Sequence, residues 1–431
     1  IDKKNYLKVY PLSELCWDGD MTKMNVISVS SGSTGQPFFW PRDIWQEKEV
    51  DHLYELTMRE FFDVDKRHSL VIIAFAIGMY IAGPFTFASL LRIGQKGYPL
   101  SITTPSNDIS AVLRVVENVG KNFDQVIIGG YPPLVKDIID AGVRESIDWS
   151  SFNTKLFFGG EGFSEKWRDY VHARLGAKSD LATTINMYGT ADAALLGIET
   201  PVSIAFRRAV ASNNKVLQSV FNSERLPSIV TYNPLMKYFE KLEDDNLVFT
   251  SSSGIPLIRY RIGDVGGVVG YENIKKTVDS VGGGLVSVLT KFKKKHTNWK
   301  LPVVYLFGRD DFTVQLYGAN VYPENIKEAL EDKRISGLVS GKFILTTKHR
   351  NNMTPLLDMK IELSSGIIGE KSMMTLIKKA IVQTLRKRNS EYEVIYQTIN
   401  KKAEPIVHLL PYAHKDFKIH IKHSWVHKTK V

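Results

Sequence analysis

Through the larger, N-terminal part of the chain, short apolar runs alternate with segments of helical period. VISVS at residues 26–30, QVIIGG at 125–130 and KLFFGG at 155–160 are each followed by a candidate helix. Runs this short, rich in branched side chains and ending in glycine or serine, read as strands that feed through turns into helices. The pattern predicts an α/β fold whose function gathers at the carboxyl edge of a sheet, where such turns aim backbone N–H groups at a ligand. Residues 69–91 carry no charged side chain and are long enough to cross a bilayer. LVIIAFAI nevertheless has the branched composition of a buried strand, and Gly78, Gly83 and Pro84 punctuate the rest of the run. The expectation there is a strand, a turn and a short apolar helix ending near Arg92, not a membrane span.

The character of the chain changes near Gly308. Beyond it, residues 325–331 read as a short helix, FILTT and DMKIEL as strands, and residues 371–388 as a long helix. The predicted organisation is therefore a large α/β domain of layered sheets and helices over residues 1–307 and a small, mobile α+β domain over 308–431. A chain of 431 residues that is 43% hydrophobic can bury one large core and a smaller one. The single cysteine, Cys16, excludes an internal disulfide framework and a cysteine-based metal cluster, and fits a reducing, cytoplasmic setting. No signal peptide is visible, but the chain begins at Ile1, so a missing or reduced N-terminal piece is expected. The formal charge of +10 permits binding to polyanions, yet no basic block carries interleaved aromatics or a recognition motif. The densest run, at residues 291–295, reads as a solvated loop after Gly282, Gly283 and Gly284. No specific nucleic-acid partner is expected, although a positive field would attract small polyanions. The sequence is compatible with a homodimer.

Four motifs could carry chemistry. Ser30-Ser31-Gly32-Ser33-Thr34-Gly35-Gln36-Pro37 follows an apolar strand directly, and glycines with hydroxyls can wrap a triphosphate by backbone N–H and neutral O–H donors. Alone it could equally be a flexible turn, and it lacks the Lys-Ser/Thr ending of a P-loop. Asn186-Met187-Tyr188-Gly189-Thr190-Ala191-Asp192 places an aromatic, a glycine, a hydroxyl and an acid within five residues. Such a set could stack a base, approach a phosphate and hold magnesium, which accepts one or two carboxylates plus phosphate oxygens. Arg259-Tyr260-Arg261-Ile262-Gly263-Asp264 comes after the strand-like LVFTS, and its arginines could simply form salt bridges at a strand end. Gly308-Arg309-Asp310-Asp311, running on to Gly318-Ala319-Asn320-Val321-Tyr322-Pro323, could be no more than a linker.

Together, in this order and spacing, the four resemble the signatures of the adenylate-forming superfamily. Residues 31–35 are similar to its SGSTG or SGTTG phosphate loop, Gly159-Gly160-Glu161 to its adenine-side Gly-Ala/Gly-Glu turn, and residues 188–192 to Tyr-Gly-x-Thr-Glu. Residues 259–264 match Arg-Tyr-Arg-x-Gly-Asp. Residues 308–311 match Gly-Arg-x-Asp, continuing into the Gly-x-Asn-Val-x-Pro of the phenylacetate-CoA ligase branch. The resemblance implies that Ser31, Gly32, Ser33, Thr34 and Gly35 contact the ATP phosphates, that Gly160, Glu161, Tyr188 and Gly189 line the adenine side, and that Asp264 holds the ribose hydroxyls with Arg309 nearby. Asp192 would be the acidic member of the magnesium site, and Asp311 the hinge about which the small domain rotates between half-reactions. Asp192 stands where the family usually has glutamate and Ala191 where it has threonine. The family also needs a lysine near the C-terminus, and the usual Pro-x-x-x-Gly-Lys is missing. Lys422, on a short alternating segment, is the candidate, with Lys418 and Lys428 as competitors.

The implied activity is ATP- and Mg²⁺-dependent activation of a small carboxylic acid as acyl-adenylate with release of pyrophosphate, then transfer to a thiol such as CoA. An amine or a carrier protein could be the acceptor instead, and a non-catalytic homologue that binds a nucleotide or a partner remains a third reading. The acyl pocket is expected beside Gly130, Tyr131 and Gly159, where glycines leave room for a flat, aromatic acid unless they serve close strand-helix packing. His408, His414, His420, His423 and His427 lack metal-ligand spacing and read as surface histidines.

Overall fold

The computed structural model describes all residues except 30–37, 76, 79–80, 161, 178–180, 282–283, 291–298, 310–313, 317–318, 350–354, 390–391, 394–395, 398–399 and 418–431. The chain divides into two compact units. The first comprises Ile1–Gly162, Asp169–Val216 and Leu226–Gly308, and the second Phe163–Arg168, Leu217–Arg225 and Arg309–Val431.

In the first unit, β1 (Met24–Val29) and β2 (Phe39–Asp43) form an antiparallel two-stranded ribbon, with Val29 opposite Phe39 and Ser28 opposite Trp40. Residues 26–29 of VISVS are thus a ribbon strand and not part of the main sheet, Ser30 lies outside the described residues, and the next long helix, Ile44–Phe62, starts only after β2. Asp43 caps that helix by accepting from the Gln46 N–H at 2.8 Å. Among the described residues the main sheet has eleven strands: β3 (Ser69–Ile73), β4 (Leu100–Thr103), β5 (Gln125–Gly130), β6 (Lys155–Gly159), β7 (Thr184–Thr190), β8 (Ala194–Ile198), β9 (Ser228–Thr231), β10 (Lys237–Lys241), β11 (Asn246–Ser251), β12 (Leu257–Val269) and β13 (Val303–Arg309). Their spatial order is β10-β11-β12-β13-β9-β8-β7-β6-β5-β3-β4.

From β4 to β7 neighbouring strands are parallel, and at β8 the direction reverses. The parallel strands are covered on both faces, which is why β3 is buried at all five positions. Residues 69–91 therefore include a buried strand, β3, and the greater part of the helix Ala82–Gln95. Among the described residues no helix is long and apolar enough to cross a membrane. One core cluster gathers Met58, Phe61 and Phe62 with Val71, Ile127, Phe157 and Ile185 around the parallel half. A second gathers Trp40, Leu196, Val230, Phe239, Phe249, Tyr260 and Ile262 around the antiparallel half. Each such side chain contributes about 1.5–3 kcal/mol on full burial.

The second unit is smaller and α+β. Its strands β14 (Val314–Leu316) and β15 (Ala319–Val321) pair antiparallel, and β16 (Val339–His349), β17 (Pro355–Leu363) and β18 (Ile406–Leu410) form a three-stranded sheet. The helices Pro323–Leu330 and Lys371–Arg388 supply Ile326, Ala329, Ile377, Ile381 and Leu385 to a core shared with Phe343, Leu357 and Ile361.

Candidate active site

The parallel strands end side by side. Register places Ile73 beside Gly129, Gly130 beside Phe158, and Gly159 beside Met187, so Phe75, Tyr131, Gly160 and Tyr188, at or just past these strand ends, leave one edge of the sheet together. The order of the parallel strands reverses between β3 and β5, and the carboxyl edge at such a switch point is where open α/β sheets bind ligands.

Two distant motifs meet at this edge. The Tyr188 hydroxyl donates to Asp264 Oδ2 at 2.5 Å, and the Tyr260 hydroxyl donates to Asp192 Oδ2 at 2.6 Å. The first bond unites two residues predicted for the adenosine side of the site, and the second reaches the predicted acid. Both arrangements depend on departures from regular strand geometry. The β7–β8 register slips between Tyr188 and Gly189, and β11–β12 slips near Arg259, whose φ of 46° is left-handed. A bulge of this kind re-aims the neighbouring side chains: Ile258 and Arg259 both face solvent, after which Tyr260, Ile262 and Asp264 are buried in alternation. The arginines of this motif do form surface salt bridges, Arg259 with Glu240 and Arg261 with Asp244.

Asp192 is 5% exposed. Its Oδ1 faces Lys3 Nζ at 3.6 Å. Its turn is closed by the Ala193 N–H donating to Thr190 Oγ1 at 3.1 Å, and ends at Ala194 with a left-handed φ of 59°. Beneath the turn, Arg42 Nη2 donates to the Ala191 carbonyl at 2.6 Å. Burial brings the Arg42 guanidinium down to about 10, against the attraction of Glu47 and Asp192, so it stays charged at neutral pH. Among the described residues no three His, Cys, Asp or Glu side chains converge as a ready metal cage. A single buried carboxylate suits magnesium only where phosphate oxygens complete the shell.

At the predicted acyl pocket, the space beside two glycines is already filled. A Cβ on Gly129 would lie 2.0 Å from Phe157 Cζ, and one on Gly130 would lie 2.8 Å from Val135 Cγ2. For these two, close packing is what the absent side chain serves. Gly159 and Gly160 differ. A Cβ on Gly159 would meet Phe75 Cζ at an ordinary 3.6 Å, whereas Gly160 has a φ of 84° and lies so near Tyr131 that a Cβ would stand 2.7 Å from Cε1. Tyr131 in turn meets Phe75 edge to face, with ring centroids 5.2 Å apart. An aromatic wall of Phe75 and Tyr131 thus borders the Gly159-Gly160 turn.

No family model and no curated protein matches the chain. Solved structures do. A 2-hydroxyisobutyryl-CoA ligase in the postadenylation state, in complex with R3-HIB-AMP, superposes with a TM-score of 0.61 at 15% identity, over 100% of this chain and 79% of that one. The fold is that of the adenylate-forming enzymes. The amide bond synthetase McbA from Marinactinospora thermotolerans has a TM-score of 0.51 at 12% identity over 90% of this chain and 65% of its own. ATP-bound MatB from Rhodopseudomonas palustris has a TM-score of 0.51 at 12% identity over 90% and 64%. Identity this low speaks to the fold alone.

Within the adenylate-forming fold, Gly130, Tyr131, Gly159, Gly160, Tyr188, Gly189, Asp192 and Asp264 fall on neighbouring strand ends or on segments bonded to them. Ser31, Gly32, Ser33, Thr34, Gly35, Glu161, Asp311 and Lys422, with its competitors Lys418 and Lys428, lie outside the described residues. So does the side chain of Arg309, whose backbone ends β13. Tyr260 and Arg42 were not singled out from the sequence. Tyr260 had a usable signal, an aromatic between two arginines where strand alternation turns it opposite to them. Arg42 had only its position, one charge in the otherwise uncharged 31–42 stretch.

Proposed function

We propose that the chain activates a small carboxylic acid with ATP, forming an acyl-adenylate and releasing pyrophosphate, and then passes the acyl group to a thiol, with CoA as the preferred acceptor. The observation that carries this reading is the double junction Tyr188–Asp264 and Asp192–Tyr260 at the carboxyl edge of a sheet with the adenylate-forming fold. The motif resemblance to the phenylacetate-CoA ligase branch and the Phe75–Tyr131 wall favour an aromatic acid.

A carboxylate is a poor electrophile because its charge repels nucleophiles and oxide does not leave, and joining it to AMP removes both obstacles. In-line attack on the α-phosphate brings two anions together, so positioning and charge neutralisation carry the catalysis. Asp192 would hold magnesium, and the ion when bound would neutralise phosphate charge. Tyr260 fixes the orientation of the Asp192 carboxylate. Asp264, held by Tyr188, would bind the ribose hydroxyls, and Tyr188 would flank the adenine. Ser31 to Gly35 would bind the phosphates, Glu161 and Arg309 the nucleoside, and Lys422 the carboxylate. The second unit would act as the mobile lid, hinged at Asp311. The similarity to an amide bond synthetase supports an amine as the second acceptor to test.

The test is mass spectrometry of reactions containing ATP, Mg²⁺ and a panel of aromatic and aliphatic acids, with CoA or an amine. Acyl-AMP with pyrophosphate, and acyl-CoA on adding CoA, are the expected products. Nucleotide binding without acyl-AMP from any acid would instead support a non-catalytic homologue.

A further inference from the structure

The buried residue Arg42 bridges two segments that sequence alone leaves unconnected. It lies on β2, is 1% exposed, and donates from Nε to Ser28 Oγ on β1 at 3.1 Å and from Nη2 to the Ala191 carbonyl at 2.6 Å. Its guanidinium also lies over the Phe85 ring, 5.0 Å from the centroid. Ser28 and Arg42 stand on the two ribbon strands that flank residues 30–37 in sequence, and Ala191 immediately precedes Asp192. One rigid fork therefore ties the base of the ribbon to the turn that carries the acid.

We infer that Arg42 is a positioning residue for the adenylation half-reaction: it holds the Thr190–Asp192 turn in fixed register with the β1–β2 ribbon, and so fixes where the Asp192 carboxylate stands at the sheet edge. This inference rests on the proposed function for its kinetic consequence but not for its structural one. A planar guanidinium with donors on two edges can serve Ser28 and Ala191 at once, whereas an ammonium is a point donor and cannot reproduce the fork. A carboxylate displaced by an ångström can cost on the order of 10²-fold in rate. The acid pocket is built from other segments, Phe75, Tyr131 and the Gly159-Gly160 turn, so affinity for the acid should be spared.

The experiment compares the full chain with Arg42→Lys and Arg42→Ala, the latter with and without added guanidinium chloride at low millimolar concentration. Two readouts are taken: kcat and KM of ATP–pyrophosphate exchange, and hydrogen–deuterium exchange of the peptide spanning Gly189 to Ala193. The expected result for Arg42→Lys is a kcat lower by about 10²-fold with the KM for the acid within about threefold. Faster deuteration should be confined to that peptide and the ribbon, with QVIIGG at 125–130 unchanged, and guanidinium should restore at least part of the Arg42→Ala loss. Unchanged deuteration of the Gly189–Ala193 peptide in Arg42→Lys would overturn the inference, as would acceleration spread over the whole sheet or a parallel loss of acid affinity. If the unsubstituted chain exchanges no pyrophosphate with any acid, the proposed function fails, and the deuteration pattern alone then decides the role of Arg42. If Arg42→Ala does not fold, Arg42→Lys carries the test.

Discussion

Replacing Tyr260 with phenylalanine removes one hydroxyl from the centre of the site. The ring is fully buried and packs edge to face on Phe249, with centroids 5.6 Å apart, so Tyr260→Phe preserves shape and removes the hydroxyl that donates to Asp192 Oδ2 at 2.6 Å. The acceptor belongs to a side chain 5% exposed, which leaves little access for replacement water. A hydrogen bond to a charged group contributes about 1.5–3 kcal/mol, and a buried carboxylate oxygen left without its donor sits at the upper end of that range. The expected cost is about 2–3 kcal/mol, a rise of roughly 30- to 150-fold in the unfolding equilibrium. The assay is urea unfolding at pH 7 monitored by tryptophan fluorescence, run as a double-mutant cycle with Asp192→Ala. In the Asp192→Ala background the same substitution should cost less than about 0.5 kcal/mol, because the acceptor is gone. Equal costs in the two backgrounds would refute the reasoning, since the loss would then come from somewhere other than this bond.

Gly160→Ala forces a side chain onto a φ of 84° and against Tyr131, so it should cost on the order of 1–3 kcal/mol and raise the KM for the acid more than that for ATP; an unchanged acid KM counts against the Phe75–Tyr131 wall. Gly266→Ala would put a Cβ 1.9 Å from the Tyr305 carbonyl oxygen on β13, a backbone atom that cannot yield without parting strands, so about 3 kcal/mol or more should be lost, and a melting shift under about 2 °C would contradict it. In the second unit, the Arg334 guanidinium beside Asp332 holds its carboxyl at about 2, below its ordinary 3.8. A depressed carboxylate stabilises the fold above its unfolded value and loses that contribution as pH falls through the folded one. Because the pair is largely solvated, Asp332→Asn should cost only about 0.5–1 kcal/mol near pH 6, with the gap from the unsubstituted chain closing between about pH 4 and pH 2; a gap that persists at pH 2 would show another origin.

Much of the fold was legible in the sequence for a physical reason. QVIIGG and KLFFGG are short, branched and uninterrupted, the pattern of strands buried on both faces, and they form adjacent parallel strands. The helix expected over residues 371–388 has the bounds Lys371–Arg388. VISVS reads like the other two runs because local composition does not distinguish a ribbon strand from a sheet strand; that is settled by what pairs with it, here Phe39 to Asp43 against Met24 to Val29. The site was legible to the extent that its residues cluster in sequence. Tyr188 and Asp192 could be named together, and Asp264 separately, but their junction across 76 positions depends on two strand bulges that no periodicity announces. Gly130 reads equally as room for a ligand or as close packing, and only the Val135 side chain, 2.8 Å from where a Cβ would stand, decides for packing. Arg42 was hidden because a buried arginine is recognised by its partners, and Ala191 is 149 residues away.

The central claim is adenylation at the Asp192–Asp264 edge, and acid-dependent ATP–pyrophosphate exchange in the presence of Mg²⁺, measured for the unsubstituted chain and for Asp192→Asn, tests it most directly. The account predicts exchange that requires both an acid and the metal and that falls by at least about 10²-fold in Asp192→Asn. Exchange that proceeds equally well in Asp192→Asn would contradict the placement of the site, and measurable ATP binding with no exchange from any acid would contradict the activity itself.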